Sequence, residues 1–120
     1  YSLEKAVSLK SSNTIFENID RYKFIPTKVL IDKKEWVAYD NYGKYFIDKN
    51  DFSFTKNGIK HNFDFAFIII HGSPGEDGKL QGYFEMIGIP HSTSSSSVTS
   101  LTFQKFHCNQ FLKNFGVCII

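Results

Sequence analysis

The amino-acid sequence predicts a three-layer α/β domain, with helices packed on both faces of a mostly parallel sheet. Three observations carry that prediction. Residues Phe63 to Ile70, with their phenylalanines, alanine and three consecutive isoleucines, leave no polar face, as a parallel strand covered on both sides requires. Four glycines then fall within the eleven residues from Gly72 to Gly82. Beyond them Leu80, Tyr83, Phe84 and Ile87 follow the i, i+3, i+4, i+7 spacing of one apolar helical stripe. Strand, glycine-rich loop and helix in that order put the loop at the carboxyl end of a strand, where open α/β sheets hold their ligands.

The remaining elements follow along the chain. Glu4 to Ile19 reads as a helix, with Leu3, Val7, Ile15, Phe16 and Ile19 on a loose apolar stripe and Asp20 at its exit. Phe24 to Asp32 and Trp36 to Tyr39 read as strands, the first limited by Pro26, and Asn41-Tyr42-Gly43 marks a turn. Phe52 to Thr55 and His61 to Phe63 flank Lys56-Asn57-Gly58, where Asn-Gly predicts a hairpin-like reversal. These pieces are expected to form a small insertion beside the main sheet. Gly88 and Pro90 end the helix that starts near Leu80, with Asp77 as its candidate cap. The hydroxyl-rich stretch Ser92 to Ser100 reads in isolation either as a linker or as the capped start of a helix. Phe103 to Phe115, with Phe106, Leu112 and Phe115 apolar and Gly116 as a stop, predicts a further helix.

Composition bounds the function. The 120 residues, 42% hydrophobic and 17% aromatic with thirteen phenylalanines, suffice for a buried core. A net charge of +2 from dispersed lysines gives no reason to expect nucleic acid. No apolar run is long enough to cross a bilayer, and the first residues lack a basic head before an apolar segment, so a cytoplasmic protein is expected. Cys108 and Cys118 form no C-x-x-C pair and have no ligand cluster about them, which favours free thiols over a metal or disulfide site.

The loop itself carries chemistry. Its glycine spacing fits neither G-x-G-x-x-G nor G-x-x-x-x-G-K-[ST], and the adjacent carboxylates of Glu76 and Asp77 would repel a polyanion. They suit an ammonium group instead, although helix capping explains the same two residues from local sequence alone. Capping explains neither the four glycines nor His71. Of the other histidines, His61, His91 and His107 read as structural.

His71, Gly72, Gly75, Glu76, Asp77, Gly78, Gln81 and Gly82 together give His-Gly-x-x-Gly-Glu-Asp-Gly-x-x-Gln-Gly, which resembles a signature of the D-alanine–D-alanine ligases. Ser2, Glu4, Val7, Ser8 and Ser11 resemble a second signature of that family, entered just after its two leading glycines. Gly88-Ile89-Pro90, followed by Phe103-Gln104-Lys105 in place of a Met-Asp-Lys element, is a third and looser match.

The resemblance implies a Rossmann-like, pre-ATP-grasp substrate domain over residues 1–102, lacking its first strand, and the start of a central ATP-grasp domain over 103–120. It implies an ATP-dependent ligase that joins two D-alanines through an acyl phosphate for peptidoglycan, with magnesium and most ATP contacts supplied by domains outside this chain. Glu4 would contact the ammonium of the first D-alanine, and His71 its carboxylate and the acyl phosphate. Val7, Ser8, Gly72 and Glu76 would line the same pocket, and Lys105 would touch the nucleotide. No metal ligand is assigned, and a homodimer is the expected assembly. First-turn helix stabilisation remains open for Glu4, packing for Val7, local helix bonding for Ser8 and an exposed helix position for Lys105. D-lactate or D-serine as second substrate, or a non-catalytic binding module, are the alternatives.

Overall fold

The computed structural model describes residues 4 to 117. Its elements run α1 (Lys5–Asn18), β1 (Lys28–Ile31), β2 (Trp36–Asp40), β3 (Gly43–Asp48), β4 (Ser53–Lys56), β5 (Ile59–His61), α2 (Lys79–Ile87), α3 (Ser96–Phe103) and α4 (Lys105–Lys113). The five strands form one sheet in sequence order, and every neighbouring pair is antiparallel.

This corrects the expected mostly parallel, Rossmann-like sheet. The strands are joined by connections too short for a parallel crossover, so each must turn back on its predecessor. Asp40 closes the β2–β3 turn by accepting the backbone N–H groups of Tyr42 and Gly43 at 2.8 and 3.0 Å. Asn57 and Gly58, both at positive φ, close the predicted β4–β5 reversal, with Lys56 opposite Ile59. What was expected to be a side insertion is therefore the sheet.

Phe63 to Ile70 is not a strand of that sheet. Among the described residues its one ladder contact is a parallel bridge from Ala66 to His91, in which the Ala66 N–H donates to the Pro90 carbonyl and the Ser92 N–H to the Ala66 carbonyl. Two residues on, the Ser92 hydroxyl takes the place of a backbone acceptor for Ile68 N–H. Nor is the segment covered on both sides: Phe65 and Phe67 are more than half exposed, whereas Ala66 is buried and Ile68 and Ile70 pack on the core.

The core lies between the inner sheet face and α2. Register puts Val29, Trp36, Ala38, Tyr45, Ile47 and Phe54 on one face, where they meet Phe52, Leu80, Tyr83 and Phe84. Phe84 is 1% exposed, and its ring meets Phe52 edge-on at 4.8 Å. Tyr83 meets Trp36 edge-on at 5.1 Å and donates its hydroxyl to the Lys49 carbonyl at 2.9 Å. Edge-on contacts add about 0.5–1.5 kcal/mol each to the burial itself. This aromatic seam fixes α2 against the sheet, and α2 in turn fixes the loop before it.

Candidate functional site

The Gly72–Gly78 loop is held by its backbone and by side chains that reach it from both ends. Gly72 accepts from the N–H groups of Gly75 and Glu76, both at 2.9 Å. Gly75 lies so close to Ile70 that a Cβ there would run into the Ile70 carbonyl, so the loop folds tightly only with glycine. Gly78 is the cap residue of α2, at φ +86, and a Cβ on it would lie 2.6 Å from the Ser96 carbonyl of α3. Asp77 therefore does not occupy the cap position. Its carboxylate accepts instead from Lys79 N–H at 3.2 Å, from the Lys79 ammonium at 2.6 Å and from the Ser73 hydroxyl at 2.6 Å. Desolvation pushes the Asp77 carboxyl up, but Lys79 and Ser73 outweigh it and hold it below its ordinary value.

His71 stands at the mouth of this loop with its side chain 39% exposed. Its Nδ1 is 3.6 Å from Glu76 Oε1, an ion pair when the imidazole is protonated. The other Glu76 oxygen accepts the Gly72 N–H at 2.7 Å. Glu76 therefore spans the loop, tying its first glycine while presenting negative charge to His71. The sequence left capping open for Glu76, but its carboxylate bonds back to Gly72, four residues earlier, and not to the α2 terminus.

The second candidate segment comes from α1. The backbone of Glu4 forms the start of that helix, and its side chain makes no capping hydrogen bond. Ser8 donates its hydroxyl to the Glu4 carbonyl at 3.2 Å, and the Ser8 hydroxyl oxygen accepts the His71 N–H at 3.0 Å, across 63 positions of sequence. Local helix bonding is thus only half of what Ser8 does. Val7, on the same helix, is 55% exposed. Lys105 opens α4 and is exposed; among the described residues it makes no hydrogen bond or ion pair to the His71 loop. Tyr1, Ser2, Leu3 and Cys118, which the sequence reading also used, lie outside the described residues. Cys108 is a free thiol.

Two residues near the site were given no role from the sequence. Gln81 is fully buried, and its amide nitrogen donates to the Gly75 carbonyl at 2.6 Å and to the Thr93 hydroxyl at 3.1 Å. Glu85 accepts the Ser96 N–H and hydroxyl at 2.7 and 2.5 Å, so a carboxylate from α2 satisfies the N-terminus of α3. Both bonds of Ser96 hold that carboxyl below its ordinary value. His91 has the structural role expected of it, between Thr93 at 3.2 Å and Glu85 at 3.9 Å.

Among the described residues no group of three or more His, Cys, Asp or Glu side chains is placed to hold a metal ion. The acidic groups near His71 are engaged with backbone and lysine donors, so these residues do not themselves fit a magnesium ion. No helix among them is long and apolar enough to cross a membrane.

Comparison with known proteins bears on the same segments. Residues 1–94 match the family model described as D-ala D-ala ligase N-terminus. The chain is 50% identical over 119 residues to a D-alanine--D-alanine ligase of Parabacteroides distasonis, covering 98% of this chain and 36% of that protein. The chain thus spans about a third of the length of the curated relatives it matches. The D-alanyl-alanine synthetase A structure from Vibrio cholerae superposes with a TM-score of 0.82 at 25% identity, over 97% of this chain and 35% of that one. The VanG D-Ala:D-Ser ligase structure from Enterococcus faecalis gives 0.83 at 27% identity, over 98% and 40%.

Proposed function

The chain belongs to the D-alanine–D-alanine ligase family, and from that premise we propose that it is the N-terminal part of an ATP-dependent ligase whose first D-alanine it holds. In the proposed reaction ATP phosphorylates the carboxylate of one D-alanine, and the amine of a second attacks the acyl phosphate, forming the amide and releasing phosphate. The work of these residues is binding and orientation. Glu4 receives the ammonium of the first D-alanine, since a carboxylate gives it a charge-assisted hydrogen bond. His71 donates to the carboxylate, and to the charge that accumulates on it, with Glu76 facing the imidazole and fixing its orientation. Val7 and Gly72 complete the wall of the pocket.

The observation that carries this reading is the Ser8–His71 hydrogen bond, because it brings the end of α1 that bears Glu4 against the loop that bears His71. An ammonium partner and a carboxylate partner on adjoining elements are what an amino acid requires. Lys105 is the proposed nucleotide contact, and the boundary with the following domain is proposed at residues 102–103. Magnesium and most ATP contacts are assigned to parts of the protein other than the described residues, which on their own are expected to turn over no substrate. The proposed setting is the cytoplasm, as part of a homodimer that makes D-Ala–D-Ala for peptidoglycan.

A second reading, in which the partner amino acid is D-serine, is favoured by the likeness to a D-Ala:D-Ser ligase. Phosphate release by the full-length protein with ATP separates the two. D-Alanine alone is expected to support turnover. Release that requires added D-serine would select the second reading, and no D-alanine-dependent release under any condition would overturn both.

A further inference from the structure

We propose that Gln81 is a positioning residue for the substrate loop, acting through the peptide plane that joins Gly75 to Glu76. This rests on the ligase reading above and deepens it. The carbonyl of Gly75 and the N–H of Glu76 belong to one rigid unit. Gln81 holds the carbonyl end at 2.6 Å, and Gly72 accepts from the N–H end at 2.9 Å. With both ends tied, the plane cannot rotate, and the direction in which the Glu76 side chain leaves the backbone is set. That side chain is the one that ties Gly72 N–H at 2.7 Å and faces His71 Nδ1 at 3.6 Å.

The orientation of the buried amide supports this role. A carbonyl oxygen only accepts, so the Gln81 nitrogen must face Gly75, and Thr93 lies on the same side at 3.1 Å. In consequence the Gln81 oxygen is buried without a hydrogen-bond partner among the described residues. Leaving that acceptor unmade costs stability. A side chain selected only to fill the space between α2 and the loop would be apolar there. The Thr93 hydroxyl that takes the second amide hydrogen is itself braced by His91 Nδ1 at 3.2 Å. The chain Gly75–Gln81–Thr93–His91 therefore anchors the loop to the segment that follows α2.

Gln81→Met keeps the length and removes the donor, and in the full-length protein it tests the assignment. The kcat/KM for the first D-alanine is expected to fall about 10- to 100-fold, the order of loss that misplacement of a binding group produces. The KM for ATP is expected to stay within about twofold, because these residues are assigned no part in holding the nucleotide. Thr93→Val, which leaves the Gly75 bond but frees the amide on its other side, should give the same split at smaller size. It decides the matter if Gln81→Met does not fold. D-Alanine and ATP parameters that move together, or a folded variant with unchanged D-alanine kinetics, would overturn the role of Gln81. Wild-type protein that releases no phosphate with D-alanine would instead overturn the ligase reading on which it rests.

Discussion

α1 and α2 both deliver residues to the loop around His71, and they are held in place by different forces. α2 buries Leu80, Gln81 and Phe84, whereas α1 buries none of its residues. The first is fixed by packing in a core that draws on β1 to β4. The second is joined to the site by the hydrogen bond from His71 to Ser8, with Lys28 bonded to Asn13 and its ammonium over the Phe16 ring further along. The two sides of the proposed site should therefore differ in rigidity, the His71 loop being braced by a packed helix and the Glu4 end of α1 by polar contacts.

Removing the packing should give the largest effect. Phe84→Ala deletes a fully buried ring from the seam and is expected to cost about 3–5 kcal/mol, a large part of the 5–15 kcal/mol typical of a domain. Urea denaturation followed by the fluorescence of Trp36, which touches Tyr83 in the same seam, reads it directly. A loss below about 1 kcal/mol would mean that α2 is not held as described.

Ser8→Ala should give a smaller and more local effect, of about 0.5–1.5 kcal/mol. Hydrogen exchange is expected to quicken at the His71 amide, which loses its acceptor, while the α2 amides keep their protection. Equal quickening at the His71 amide and along α2 would erase the contrast between the two helices.

The smallest effect belongs to Asp77 and appears only through pH. Its folded-state carboxyl is lowered, so it contributes stability above the unfolded value of about 3.9, and that contribution is lost as pH falls through the lower folded value. Asp77→Asn should accordingly lower Tm at pH 7 and have a diminishing effect as the solution is acidified. A Tm difference that grew toward acid pH would reverse the sign of the argument.

The two sides of this comparison were unequally legible in the sequence. The tight backbone of the loop was legible, because glycines at fixed intervals constrain it, but Asp77 is not the cap it was expected to be. The Asn57-Gly58 reversal was legible for the same reason, since few residues accept that turn. The sheet was misread. An apolar run such as Phe63 to Ile70 looks alike whether its neighbours are parallel strands or a single bridge at Ala66. β3 was missed because Phe46, an aromatic in mid-strand, points outward and is 64% exposed, which blurs the alternation. Gln81 stood in the signature without a role, because a glutamine in an amphipathic helix is expected on its wet face. Only its register against Gly75 and Thr93 shows otherwise.

The central claim is that α1 and the His71 loop together hold the first D-alanine, and one measurement tests it most directly. ATP-dependent phosphate release by the full-length protein is followed against D-alanine concentration for the wild type, Glu4→Ala and His71→Ala. D-Alanine-dependent turnover in the wild type and kcat/KM reduced by about two or more orders of magnitude in each variant is the predicted result. Turnover unchanged in either folded variant would contradict the claim.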